Sequence, residues 1–371
     1  MRRILAQARK ELTQVKRDRL TLALALILPL ALLALNGEAI SLSVTDLPIV
    51  IQDMDSSPAS RRLIDVFRGS LTFRIVELSP GEKPERALLE NRARAAIIIP
   101  ENFERDLTRG RNAETQVLVD ASDANTANVM RGSATAVIQS FSNSLSRSSS
   151  AVRNPPIKLN TRLWFNPGRE SRMYIVPSML AVGLALFPPL LAALAMSREG
   201  EQKTILQVYV SSITAGEYLL GKILAYFAIA LLEWFLCILL VYFMFGLSLR
   251  GDPTPLFVCT IVYLFTNVCF GTMVGVAIPN QAAAIQAVQI VGFLLSYLLS
   301  GAIFPISNIP PAIGWISNLI PARYYIEVVR DAFLRGSGWS GLVGVPFALA
   351  AIGLFFFVVA WLKMRKMQIE A

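Results

Sequence analysis

The sequence predicts an α-helical polytopic membrane protein with six transmembrane helices and an inserted extracytoplasmic α/β domain. Three observations carry that prediction. The 371 residues are 54% hydrophobic with a mean hydropathy of +0.52, too apolar for a soluble chain yet charged enough to keep a sizeable aqueous part. Six segments, at 20–40, 174–196, 218–246, 256–278, 283–305 and 341–362, are apolar over the length a helix needs to cross a bilayer core, about 20 residues. Between the first two, the pattern switches to short strand-like and helix-like runs in alternation.

Residues 1–19, MRRILAQARKELTQVKRDR, place Ile4, Leu5, Ala8, Leu12 and Val15 on one helical face and basic residues elsewhere. Such an amphipathic helix lies along the inner membrane surface, either as a topology signal alone or as a docking surface as well. Arg2, Arg3, Arg9, Lys10, Lys16, Arg17 and Arg19 precede the span at 20–40, and Lys363, Arg365 and Lys366 open the tail 363–371 after the last span. The positive-inside rule then sets both termini in the cytoplasm, in agreement with an even number of spans. By the same count the loop carrying Arg198 and Lys203 falls inside, and residues 41–173 fall outside. A secretory signal peptide is the rival reading of the N-terminus, with Gly37-Glu38-Ala39 as a weak cleavage site. Its apolar core and its 19-residue basic leader both run long for that role, so an uncleaved anchor fits better.

The segment 41–173 begins with the apolar LPIVIQD, a turn at Asp55-Ser56-Ser57-Pro58 and the run ASRRLIDVFRG, which sets Leu63, Ile64 and Phe67 on one face. LTFRIVEL, PERALLEN, AAIIIP, ENFERDLTRG and TQVLVD continue the alternation, as expected of a small α/β domain. A longer amphipathic helix follows, with Met130, Ala134, Val137, Ile138, Phe141 and Leu145 at helical spacing, and SRSSSAVRNPP then reads as a linker back to the membrane. Asp53, Asp55, Asp120 and Asp123 follow strand ends, where turn and cap roles are commoner than metal ligation, so no metal site is expected.

The chain has no histidine, which removes Ser-His-Asp and Cys-His catalysis, the H-E-x-x-H zinc site and the commonest metal ligand together. No aspartate falls inside an apolar segment and G-x-G-D is absent, which argues against an intramembrane protease. Cys237, Cys259 and Cys269 all fall inside apolar segments and imply no disulfide framework. The net charge of +9 is accounted for by topology and the lipid surface and calls for no nucleic acid. One stretch, TAGEYLLGKILAYF at 214–227, nearly forms a P-loop through Gly216, Gly221 and Lys222. The position that should hold Mg²⁺ is Ile223, and the run to Phe245 is apolar, so Lys222 marks a membrane entrance and not a nucleotide site.

Polar residues inside the spans are the pathway candidates. Glu233 lies near the middle of the third span and Asn267 near the middle of the fourth, where they either bond each other and hold helices together or face a cavity and meet substrate. Gln281, Gln286 and Gln289 sit near one end of the fifth span and either line an inner vestibule or bond backbone between helices. In 306–340, Pro310, Pro311 and Pro321, with Pro305 just before them, break any continuous helix and predict a re-entrant-like outer segment. Arg323, Glu327 and Arg330, with Asp331, then form a charged outer rim or a plain solvated face.

The loop 197–217, SREGEQKTILQVYVSSITAGE, is polar at first and then carries Ile205, Leu206, Val208 and Tyr209 on a stretch too short to cross the membrane. Here the chain resembles the ABC-2-type permeases of ABC exporters. The matching residues are Arg198, Glu199, Glu201, Thr204, Leu206, Glu217, Gly221 and Lys222. The family's Gly-Thr is Lys203-Thr204 here, and its proline near Ser212 is missing. RKELTQVKRDR resembles the family's connecting helix, and FPISNIPPAIGWISNLIPARYYIEVVRDAFLRG its outer segment before the last span, with Leu319 to Tyr324 in place of the usual Asn-Pro-Leu-Thr-Tyr.

The resemblance implies a permease of the bacterial inner membrane. It implies that ATP and magnesium are handled by a separate ABC ATPase subunit docked under 198–217 and the leader, with no cofactor in this chain. It also implies a second permease copy or paralogue to enclose a path, leaves room for a periplasmic adaptor, and gives an amphipathic drug, lipid or glycan-type substrate. Two rivals stay open at this point. One is a receptor or assembly factor with an extracytoplasmic sensor domain; the other is a proton-coupled carrier using Glu233.

Overall fold

The computed structural model describes residues 1–39, 46–79, 81–121, 124–148, 171–203, 213–303, 306 and 309–367. Two compact units divide the chain: residues 1–41 with 163–371, and residues 42–162.

The larger unit is helical. Helix α1 (Arg2–Arg17) is followed by α2 (Arg19–Ala39), and the chain re-enters the unit at α7 (Ser171–Leu184) and α8 (Phe187–Glu201). Then come α9 (Ala215–Phe245) and α10 (Thr254–Ala277). Next is a broken rod of α11 (Gln281–Ala287), a π-helical stretch Val288–Leu294 and α12 (Leu295–Leu299). The short α13 (Pro311–Ser317) and α14 (Pro321–Arg330) precede the final α15 (Gly344–Met367). Among the described residues, six helical segments are long and apolar enough to cross a membrane: Thr21–Glu38, Ser171–Glu201, Ala215–Phe245, Thr254–Ala277, Gln281–Leu299 and Gly344–Arg365. Each overlaps one of the six apolar segments of the sequence.

Four features differ from the sequence expectation. The second span is two helices, because the chain breaks at Ala185–Leu186 ahead of Pro188 and Pro189 in the first turn of α8. That span continues to Glu201, so Arg198 and Glu199 belong to its last turn and not to the loop assigned at 197–217. At the other end of that loop, α9 starts at Ala215, capped reciprocally by Thr214 and Glu217. The tail assigned at 363–371 is helical as far as Met367.

Packing centres on α10. Gly271 and Gly275, one turn apart, let it close on α8: a Cβ at Gly271 would fall 2.1 Å from the Pro189 carbonyl oxygen, and one at Gly275 2.6 Å from that of Ala193. On another side Thr266 Oγ1 donates to the Leu349 carbonyl of α15 at 2.9 Å. Helix α14 lies inside the bundle, with Ala322, Tyr325, Ile326, Val328 and Val329 buried. Tyr325 stacks on Tyr263 of α10 with centroids 4.1 Å apart. Its hydroxyl accepts from Trp234 Nε1 of α9 at 3.1 Å and lies 2.7 Å from Thr260 Oγ1.

The smaller unit holds β1 (Leu47–Asp53), α3 (Pro58–Arg68), β2 (Phe73–Ile75), α4 (Pro84–Leu89), β3 (Ala95–Ile99), α5 (Phe103–Thr108), β4 (Gln116–Val119) and α6 (Ala124–Ser148). Strand order is β2-β1-β3-β4, with β1 parallel to both neighbours and β4 antiparallel to β3. Alternation along β1 sends Leu47 and Ile49 to a core with Leu63, Phe67, Phe103, Met130 and Phe141 of α3, α5 and α6. Val50 goes to the opposite face, under Ala87 of α4. Asp53 accepts from the Asp55 and Ser56 amides and from Ser60 Oγ, Asp55 accepts from the Glu104 amide, and Asp120 pairs with Arg94 at 2.7 Å. These acids serve turns, caps and an ion pair; Asp123 lies outside the described residues.

Candidate functional site

Gly221 is where the leader meets the membrane bundle. A Cβ there would lie 2.7 Å from Gln7 Cβ and 3.0 Å from the Ile4 carbonyl oxygen, so only glycine lets α1 lie directly against α9. The face α1 buries is Ala8, Glu11 and Val15. That is a rotation from the expected apolar stripe, since Leu5 and Leu12 remain 55% and 39% exposed. The reason is electrostatic: Glu11 turns inward to meet Lys222.

Both residues are 2% exposed, and Lys222 Nζ lies 3.0 Å from Glu11 Oε1 and 3.2 Å from Glu199 Oε1 of α8. Lys10 approaches Glu199 at 3.1 Å. Tyr226, one turn beyond Lys222, donates its hydroxyl to Glu11 Oε2 at 3.2 Å, and Gln7 Nε2 donates to Glu11 Oε1 at 3.0 Å. Two lysines and two glutamates leave the cluster neutral. Burying charge is costly unless each ion is paired and hydrogen-bonded, as it is here, and losing one partner strands the other. The arrangement clamps α1, α8 and α9 together. It also disposes of the P-loop likeness, because the Lys222 ammonium is enclosed by carboxylates.

Further polar ties surround the clamp. Asp18, between α1 and α2, accepts from Thr21 N at 3.1 Å and Thr21 Oγ1 at 2.6 Å and lies 3.6 Å from Arg198 Nη1. The Thr21 hydrogen bonds chiefly, and Arg198 to a lesser degree, hold its carboxyl below the usual aspartate range. Arg3 stands 3.7 Å from Glu217. Glu201 Oε2 accepts from Gln281 N at 3.3 Å and Gln281 Nε2 at 2.7 Å, tying α8 to the start of α11. Lys363 of α15 donates to the Ala277 carbonyl at the end of α10.

Of the coupling residues the sequence singled out, Arg198, Glu199, Glu201, Glu217, Gly221 and Lys222 thus gather in the helix ends that bracket residues 204–212. Thr204 and Leu206 lie outside the described residues. Glu11, Tyr226, Lys10 and Asp18 were missed. The available signal was that Glu11 and Asp18 are the only acids in a basic leader, with Glu11 on the face between Ala8 and Val15.

Deeper in the bundle, Glu233 is 1% exposed and Asn267 4% exposed. Neither Glu233 oxygen has a hydrogen-bond partner among the described residues, so Glu233 and Asn267 do not bond each other. Gln286 and Gln289 are exposed on the fifth span. Arg323 Nη1 donates to Asn318 Oδ1 at 2.5 Å, and Glu327 is exposed. Arg330 corrects the rim expectation: its guanidinium stacks on Tyr174 at 3.8 Å and donates to Ser178 Oγ and to the Gly301 and Ala302 carbonyls. It is drawn inward because the chain beyond α12 leaves those carbonyls without helical partners. Asp331, 4% exposed, likewise closes a turn through the Ser337 and Gly338 amides.

Fold and site together define a multi-pass membrane protein of the transporter-permease class. Residues 19–362 match the family described as ABC-2 family transporter protein, and the chain belongs to that family. It is 29% identical over 366 residues to the probable multidrug ABC transporter permease YbhS of Escherichia coli K12, covering 98% of this chain and 97% of that one. The probable multidrug ABC transporter permease YbhR of the same organism is 24% identical over 90% of this chain and 91% of its own. The inner membrane transport permease YhhJ, also of E. coli K12, is 28% identical over 86% and 85%. The chain is a permease subunit of an ABC transporter and not an enzyme; ATP hydrolysis lies in a partner subunit, and such permeases often work as dimers.

Proposed function

We propose that this permease exports an amphipathic substrate from the cytoplasm or inner leaflet, with ATP and magnesium bound by an ABC ATPase docked on the end of the bundle formed by α1, α8, α9 and residues 204–212. The observation that carries the reading is the Glu11–Lys222–Glu199 clamp. A push on the loop between α8 and α9 passes directly into two spans and the leader, since the buried ions bind the three as one piece. Among substrate classes, a drug-like amphiphile is favoured over lipids and glycans by the names that YbhS and YbhR carry.

The same end of the bundle carries the basic leader together with Lys363 and Arg365, which supports a cytoplasmic placement for both termini. An extracytoplasmic location for residues 42–162, which follows from that orientation, makes this domain the part available to substrate or a periplasmic adaptor. A second copy or paralogue pairs along the fifth span, where exposed Gln286 and Gln289 stand among exposed Ile290, Val291 and Leu294. Amide side chains are poorly placed against lipid and well placed along a path between two copies.

The test is to purify the tagged chain from its native membranes in mild detergent and identify stoichiometric partners by mass spectrometry. An ATP-hydrolysing subunit recovered with wild type and lost with Leu206→Asp supports the dock, with Glu217→Ala weakening it. A dimer free of any ATPase in several detergents overturns the reading.

A further inference from the structure

We propose that the point where Ala185 meets Gly292 is a hinge at which the second and fifth spans bend together, so that α8 and α11 swing as one block against α7 and α12. The inference rests on the permease reading above and adds the place at which the bundle moves.

Both spans are irregular at that point, each in its own way. In the second, the amides that would donate to the Leu184 and Ala185 carbonyls in a continuous helix belong to Pro188 and Pro189, which have none. The turn tightens there, with Leu186 N donating to the Gly183 carbonyl at 3.0 Å. In the fifth, the backbone widens over Val288–Leu294 into a π-helix, and Leu295 N donates to the Ile290 carbonyl. A helix bends most easily where its hydrogen-bond ladder is already interrupted, because no further bond is lost. The two interruptions are in contact: a Cβ at Gly292 would fall 3.3 Å from the Ala185 carbonyl oxygen and 3.0 Å from the Phe270 ring. A bend in either span therefore displaces the backbone of the other.

The halves on either side sort into two groups. On one side α8 packs on α11, Glu201 holds both the backbone and the side-chain amide of Gln281, and a Cβ at Gly200 would lie 3.3 Å from Pro279 Cβ. On the other side α7 and α12 both pack on α14. Arg330 of α14 reaches Ser178 of α7 together with the Gly301 and Ala302 carbonyls just beyond α12, and the Tyr174 hydroxyl donates to the same Gly301 carbonyl at 3.3 Å. Helices α9 and α10 run unbroken past both groups. Against α10, α8 rests on Gly271 and Gly275, bare backbone over which a packed helix can slide. A push enters at the Glu199 end of α8, where the clamp makes α9 tilt with it as a rod, and the hinge turns that push into a swing of α11 and of the exposed Gln286 it carries.

The experiment is hydrogen exchange read by mass spectrometry on the purified permease–ATPase complex, with and without ATP and vanadate to arrest the ATPase in mid-cycle. Exchange in residues 183–190 and 288–295 is expected to change together on arrest, while the interiors of α9 and α10 stay as they were. Pro188→Ala with Pro189→Ala restores both missing donors, so the joint response should be lost. Gly292→Ala wedges the crossing and should abolish the response in 183–190, a span to which it does not belong; Gly314→Ala, with open space around the new methyl, should respond as wild type. On the permease alone, the double proline substitution should slow exchange in 288–295 as well as in its own segment. That readout needs no ATPase, so failure to recover one counts against the permease reading while the hinge is still tested. A response confined to one span, a response in neither, or wild-type behaviour after the proline substitutions would overturn the proposal.

Discussion

Glu11 and Lys222, each 2% exposed, are joined by a 3.0 Å ion pair that anchors the leader helix to the third membrane span. Because the pair is buried, its two halves are unequal to their sum. Lys222→Met leaves Glu11 and Glu199 with only the half-exposed Lys10 ammonium between them, and should destabilise the α1–α9 junction by about 3–5 kcal/mol. Glu11→Gln with Lys222→Met together should cost less than the two single changes added. Thermal unfolding of the detergent-solubilised chain measures both, and co-purification of the ATPase reports the consequence. Strict additivity in the double variant would mean the ions do not act as a pair.

Gly221 gives a steric version of the same test. Gly221→Ala puts a methyl 2.7 Å from Gln7 Cβ and 3.0 Å from the Ile4 carbonyl oxygen, backbone that cannot swing aside. The expected cost is about 1–3 kcal/mol, and α1 should become cleavable by trypsin at its arginines and lysines. Gly314→Ala, where nothing lies within 4 Å of the new methyl, is the control and should leave the digestion pattern unchanged.

The spans were legible because a 20-residue apolar run admits few structures in lipid, whereas the break ahead of Pro188 and Pro189 inside the second was not read from the sequence. Lys222 was legible as a membrane entrance. Its partner was not, since nothing local in the leader states that Glu11 faces inward while Leu5 and Leu12 do not. A helical stripe read from hydrophobicity assigns apolar residues to the buried face, and a buried ion pair overrides that assignment. Arg330 misled for a related reason. Charge suggested solvent, whereas the non-helical carbonyls of Gly301 and Ala302 supply acceptors that only the folded chain brings within reach.

That arrangement makes Arg330 hard to replace. Arg330→Lys keeps the charge but offers one point donor where the guanidinium reaches Ser178, Gly301 and Ala302 and stacks on Tyr174. It should cost about 1–3 kcal/mol, with Arg330→Met at the upper end because the carbonyls lose every donor. Hydrogen exchange at residues 300–303 and at the start of α7 should rise in both variants. Unchanged exchange there would show that the carbonyls are satisfied by other means.

Asp18 sets the expected acid response of the leader. Its folded carboxyl sits below the ordinary aspartate value because the Thr21 amide and hydroxyl donate to it, with Arg198 3.6 Å away. A depressed folded value means the unfolded state binds the proton more tightly, so the contribution is complete above about pH 4 and is lost as pH falls through the folded value. At neutral pH the α1–α2 corner is therefore intact, and proteolysis at that corner should rise only in strongly acidic buffer. Asp18→Asn keeps one acceptor for Thr21 but removes the titrating group, so its corner should be looser at neutral pH and indifferent to acid. Since Asp18 is a third exposed, the part owed to Arg198 should fade with added salt while the Thr21 hydrogen bonds persist. An acid-dependent loosening that survives in Asp18→Asn would assign the response to another carboxylate, with Glu217 beside Arg3 the first to substitute.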